Sequence, residues 1–248
     1  MPLKLEEKIG LESNISTSPF SQETRKRQNK VNGNLNSMFY SIEKETIMHQ
    51  KYLLILFYSA TGSVKNLAHA MADGAEKKGV EVRIRTVPKV STVAEATEPS
   101  MPDEGEVYCT KDDLIGCAGL ALGSPTRFGS MAAPLKYFLD STGDIWSNNE
   151  LEDKLGCVFT STGSQHGGQE MTLFNLMTYM LHQGIIVVGS PYSITELNTT
   201  KGGGTPYGPS HVANNNQSGD ITSDERKIAT ATGARMAELI LQFNSNES

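Results

Sequence analysis

Three hydroxyl side chains, Ser59, Thr61 and Ser63, alternate along the segment Ser59-Ala60-Thr61-Gly62-Ser63-Val64. Gly62 permits a tight turn there. Hydroxyls beside free backbone N–H groups suit an anion such as a phosphate, although the same side chains suit an ordinary helix cap. Two further turns are similarly polar: Ser124-Pro125-Thr126-Arg127-Phe128-Gly129-Ser130, and the run from Ser161 through Thr162, Gly163, Ser164, Gln165 and His166 to Glu170. Arg127 offers either a site cation or a surface ion pair. His166, in a glycine-rich loop, reads as a site residue. Trp146 suits a pocket wall or plain packing, and Tyr207, in the run KGGGTPYG, could reach a neighbouring subunit's pocket. Cys109, Cys117 and Cys157 are odd in number and lack CxxC spacing. They read as buried small hydrophobes, with no disulfide framework and no metal site.

The elements around these turns follow from apolar periodicity. Tyr52–Tyr58 is a short apolar run of strand type, and Val64, Leu67, Ala68, Met71 and Ala75 then repeat at helical spacing up to Gly79. Strand, turn and helix N-terminus in that order make an anion site, because first-turn N–H groups lack intrahelical partners and the macrodipole favours negative charge. Val80–Val87 alternates like a half-exposed edge strand, and Pro88–Asp113 reads as a surface loop. Leu114–Gly123 is a continuous apolar run, as a buried central parallel strand requires, and Leu155–Thr162 reads as another buried strand. Met131–Leu139 and Met171–Gln183 are helical in pattern, and Ile185–Val188 is a last short strand. A long polar segment, Gly189–Thr222, precedes a final helix that opens on a capping box, Thr222 with Glu225, and ends at Phe243.

This alternation predicts an α/β fold, a doubly wound five-stranded parallel sheet. Ligands in such sheets bind at the carboxyl ends of the strands, where all three polar turns lie. The expected organisation is an extension without periodicity at 1–50, one domain at 51–243 and a tail at 244–248. Arg25-Lys26-Arg27 reads as a solvated charge cluster, and Met48 offers a second start just before the first strand. The net charge is −6; the first fifty residues hold 7 basic and 6 acidic side chains, leaving 15 against 22 in the rest. An acidic domain argues against nucleic acid as the main ligand. With no transmembrane-length apolar run and no secretory signal, a cytoplasmic protein is expected.

SATGSV, GSPTRFGSM, STGSQHGGQE and GGTPYG, in this order, resemble the WrbA-type NAD(P)H:quinone oxidoreductases, flavodoxin-like FMN proteins, over about Lys51 to Phe243. The resemblance implies strand order 2-1-3-4-5, noncovalent FMN, NADH or NADPH as electron donor and two-electron reduction of quinones by ping-pong hydride transfer, usually in a homotetramer. A flavodoxin-type electron carrier and a flavin-binding regulatory protein are the alternatives. Carried over by position, Ser59, Ala60, Thr61, Gly62, Ser63 and Val64 would hold the FMN phosphate. Pro125, Thr126, Arg127, Phe128 and Gly129 would border the flavin ring. Ser161, Thr162, Gly163, Ser164, Gln165 and His166 would line its other side, and Trp146 and Tyr207 would meet the substrate. Two departures stand out. The loop STGSQHGGQE is one residue longer than the bacterial pattern, and Gln183 replaces a family histidine, so that position can hydrogen-bond but cannot titrate.

Overall fold

The computed structural model describes residues 52–90, 102, 104–214 and 219–245. The expectations for residues 1–50, including the alternative start at Met48, lie outside the described residues. β1, Tyr52–Phe57, is buried along its whole length, because it has a strand on either side and helices on both faces. On one side lies β2, Glu81–Thr86, an edge strand with half-exposed residues, as its alternation predicts. On the other come β3, Gly119–Pro125, and β4, Leu155–Thr162, every residue of both buried. All pairings are parallel and the order is β2-β1-β3-β4-β5, with β5 at Ile186–Val187, as the resemblance implies.

Successive side chains on each strand serve two cores. Leu53, Ile55, Phe57, Ala121, Cys157 and Phe159 pack under α1, Ser63–Glu76, and α6, Ser223–Ser245. Leu54, Leu56, Leu120, Leu122 and Val158 pack under α3, Ala133–Asp140, and α5, Gln169–His182. Phe159 fills the first core only because Gly123 has no side chain; a Cβ there would sit 2.2 Å from its ring. The short α4, Gly143–Ser147, links α3 to β4 at the amino end of the sheet.

Among the described residues the sheet has six strands, one more than the sequence suggests, because the fifth position is split. β5, Ile186–Val187, pairs with Leu155 and Gly156 at the start of β4. The chain then leaves the sheet and returns as β6, Ser210–Val212, beside Thr160–Thr162 at the end of β4. The polar segment after Val188 is thus an insertion within a strand, and its last part belongs to the sheet. A second correction concerns Leu114–Gly116, which close a helix, α2 (Lys111–Gly116), so the central strand begins only at Gly119. Thr110 and Asp113 form a reciprocal capping box that commits these residues to a helix. α6 continues to Ser245, two residues past its expected end.

Candidate functional site

The first turn joins β1 to α1. Gly62 occupies the N-cap position with φ 95°, a left-handed conformation that glycine adopts without penalty. Ser59 is the local organiser. Its Oγ accepts from the N–H of Gly62 (3.1 Å) and of Lys65 (3.4 Å), so the capping role holds for this hydroxyl. Ser63 differs: its Oγ is buried and has no hydrogen-bond partner. Ala60 and Thr61 are exposed, and Val64 is buried beneath the turn. From the far side the turn is held by Gly219, whose carbonyl accepts from Asn66 Nδ2 at 2.7 Å. A Cβ on Gly219 would approach Thr61 O to 2.6 Å, at a φ of 76° that itself favours glycine.

The second and third turns meet. Thr126 N–H donates to Ser161 O at 2.9 Å, and Thr172 Oγ1 lies 2.8 Å from both Thr126 Oγ1 and Gly168 O. A Cβ on Gly168 would come within 3.2 Å of Gly129 Cα. Arg127 and Ser130 exchange backbone hydrogen bonds across Phe128 and Gly129, both at positive φ. For phenylalanine that conformation is strained, by about 1 kcal/mol, and its ring stands fully exposed at the rim. Arg127 is exposed and makes no ion pair among the described residues; its Nη1 donates to Thr126 O. Pro125 is buried at the end of β3. Ser161 and Thr162 are buried, whereas Gly163, Ser164, Gln165 and His166 are exposed, with open space beside Gly163.

The insertion braces this third loop. Ser210 Oγ donates to Gln169 Oε1 (2.6 Å), Gln169 Nε2 to Gln165 O (3.0 Å), and Gln165 Nε2 to Gly202 O (3.4 Å). Beneath them is Glu225, fully buried, which accepts from His211 Nδ1 and from the N–H groups of Gly203, Val212 and Thr222. Burial alone would raise its pKa. The His211 bond and the backbone donors outweigh that and hold the carboxyl down at about 2. Tyr207 is partly exposed on the insertion, with its ring 4.9 Å from that of Phe174 on α5.

Two predicted site residues are placed elsewhere. Gln183 lies just past the end of α5, on the amino side of the sheet, buried with its Nε2 donating to Thr142 Oγ1 at 3.4 Å. A 14-residue helix, about 20 Å of rise, separates it from the third loop. Trp146, on α4, is at that same end and exposed. Neither joins the three turns within this chain, because both sit in connections that enter strands rather than leave them. The structure also adds residues the motifs did not flag: Gln169, Thr172, Ser210, His211, Gly219 and the full role of Glu225. Only the capping box of Thr222 and Glu225 was a readable signal for any of them.

Residues 43–199, well over half of the chain, match the family described as NADPH-dependent FMN reductase. The chain belongs to that family. Among its relatives, a protein of Acidithiobacillus ferrooxidans named NAD(P)H dehydrogenase (quinone) is 39% identical over 196 residues, which is 75% of this chain and 96% of that protein. One of the same name from Paracoccus denitrificans is 41% identical, over 75% of this chain and 92% of its own length. The WrbA-type resemblance is thereby borne out. The fold is shared with a WrbA-like flavodoxin of Agrobacterium tumefaciens, at TM-score 0.54 and 19% identity over 77% of this chain and 98% of that one.

The residues present fit the FMN of this FMN reductase family. A buried, unpartnered hydroxyl at a left-handed glycine turn is what a phosphate ester would engage. The paired second and third turns offer backbone groups and open space for a planar ring. The cysteine thiols stay out of the chemistry. All three are buried and free, and burial pushes Cys117 to about 11 and Cys157 to about 12. Among the described residues no cluster of ligating side chains could hold a metal ion, and no helix is long and apolar enough to cross a membrane.

Proposed function

We propose that this protein is an FMN-dependent NAD(P)H:quinone oxidoreductase. The observation that carries the reading is the convergence of three polar turns at the carboxyl ends of β1, β3 and β4, with the buried Ser63 hydroxyl left unpartnered at the first. The names of the relatives, NAD(P)H dehydrogenase (quinone), agree with it. FMN, when bound, supplies the two-electron redox chemistry that side chains lack.

The chain's own residues do the rest. The Ser63 and Val64 N–H groups, first-turn donors without intrahelical acceptors, hold the phosphate together with Ser63 Oγ. Pro125 to Gly129 border one side of the ring and Ser161 to His166 the other. Arg127, which meets no carboxylate among the described residues, adds positive charge at the rim. The chain Gln165–Gln169–Ser210 keeps the third loop in one conformation, so the ring's wall is formed before substrate arrives. Nicotinamide and quinone use the one pocket in turn, a ping-pong cycle. Exposed apolar residues at one angular face of α5, Met171, Phe174 and Leu181, support assembly into a homotetramer.

Initial rates measured at several fixed quinone concentrations against NADH, and again against NADPH, test this. Parallel double-reciprocal lines are expected. Intersecting lines would mean that donor and acceptor bind together, and absence of turnover with FMN bound would refute the assignment.

A further inference from the structure

The carboxylate of Glu225 is saturated. It accepts from His211 Nδ1 at 2.9 Å and from the N–H groups of Gly203 (2.8 Å), Val212 (3.1 Å) and Thr222 (2.7 Å), matching the roughly four lone-pair sites of a carboxylate. This fixes the imidazole with Nδ1 as the donor to Glu225, and turns Nε2 away from the pair. Yet Nε2 is buried and has no partner among the described residues, in a residue only 3% exposed. A buried ring nitrogen left without a partner is destabilising unless something meets it.

The fold says what lies in that direction. His211 is in register with Ser161 on the neighbouring strand, so its side chain shares the sheet face of Cys157 and Phe159, the one covered by α1 and α6. β6 packs against α1. The chain after β6 returns to the first turn, where Gly219 sits against Gly62 and receives Asn66 Nδ2. Among the described residues, the buried side-chain polar atoms without partners belong to Ser63, Arg85, Gln183 and His211. Arg85 is on the far edge strand and Gln183 at the opposite end of the sheet. Ser63 and His211 share one corner, at the start of α1.

We propose that His211 is a further FMN-binding residue, which closes the underside of the phosphate site with Ser63 while Glu225 turns its Nε2 towards the phosphate. The proposal rests on the reading of the first turn as the FMN phosphate site. It gives Glu225 a positioning role: the carboxylate sets the orientation of the ring and touches no ligand itself. It also explains why a buried carboxylate–imidazole pair is placed at the junction of the insertion, β6 and α6, where an apolar pair of similar volume would pack as well.

The test compares FMN with riboflavin, which lacks only the phosphate, by quenching of flavin fluorescence on the apoprotein. In His211→Gln the FMN affinity is expected to fall roughly tenfold to a hundredfold, the usual worth of a charge-assisted hydrogen bond. Riboflavin affinity should stay as in the wild type. Equal losses for both flavins, or an unchanged FMN affinity in a folded variant, would overturn the proposal and leave His211 a structural residue. Should the variant fail to fold, the wild-type protein decides: the 15N resonance of His211 Nε2 should move on adding FMN and stay put on adding riboflavin, and an unmoved resonance refutes the role. Failure of wild-type apoprotein to bind FMN at all would instead remove the underlying reading.

Discussion

At the scale of single residues, Ser59 and Ser63 illustrate what spacing can and cannot say. Both are hydroxyls beside Gly62, and either could cap a helix or meet a phosphate. The structure separates them by what their oxygens already do. Ser59 Oγ holds two backbone N–H groups, so Ser59→Ala should lower the stability of the apoprotein by about 1 kcal/mol, the ordinary worth of a cap. Ser63 Oγ has no partner among the described residues. Ser63→Ala should therefore leave apoprotein melting unchanged or slightly raised, while FMN affinity drops roughly tenfold or more. Thermal unfolding and flavin titration on the two variants would check this; a stability loss in Ser63→Ala comparable to that in Ser59→Ala would contradict it. Glu225 was legible only in part. Its capping box with Thr222 is a local pattern, but its bonds to Gly203 and His211 depend on how a distant insertion folds back. Because its folded pKa lies near 2, below the usual carboxylate range, its contribution is fully present above about pH 4.5 and is lost as pH falls towards 2. Stability measured from pH 6 to pH 2.5 should fall by roughly 2.5 kcal/mol more in the wild type than in Glu225→Gln. Parallel profiles for the two proteins would rule out this source of acid sensitivity.

At the scale of elements, the sequence was clear wherever an element is long enough to carry a period. β1 and β4 were found almost to the residue, because strands buried on both faces carry continuous apolar runs, Tyr52–Phe57 in β1 and Leu155–Phe159 in β4. β5 and β6 have two and three residues, too few for any period, and they share a single position in the sheet. That division was invisible before the chain was folded. The crossing of α1 and α6 was equally hidden. Gly74 and Gly233 let the two backbones touch: a Cβ on Gly74 would lie 1.9 Å from Thr230 O, and one on Gly233 2.0 Å from Met71 O. Within a helical pattern an isolated glycine only weakens propensity, and nothing local marks it as a crossing point. Gly74→Ala gains helix propensity yet must push α6 away, at a cost of about 1–3 kcal/mol from overpacking. Urea unfolding should show a lower midpoint with an unchanged slope. A raised midpoint would mean that the helices separate without penalty.

At the scale of the whole molecule, the site residues fall at two ends. The three turns share the carboxyl end of the sheet, while Trp146 and Gln183 lie at the amino end, where Thr142 Oγ1 lies within 3.0 Å of Tyr179 Oη and accepts from Gln183 Nε2. One chain cannot bring these ends together, since α5 spans the distance between them. A second copy can. Met171, Phe174 and Leu181 expose apolar side chains on one face of α5, Tyr137 does so on α3 beside it, and Trp146 is 55% exposed on α4. Leu181 is well suited to a test because it belongs to neither core. Leu181→Glu should leave the fold intact and, if the chain assembles through this face, shift the sedimentation coefficient towards smaller species. The informative step is to combine it with Trp146→Ala. If a neighbouring subunit delivers the indole to the quinone pocket, Trp146→Ala should raise quinone KM several-fold in the assembled enzyme and have no effect in the Leu181→Glu background, a coupling a double-mutant cycle isolates. Equal effects in both backgrounds would place Trp146 outside any shared pocket, and its exposure would then serve assembly alone.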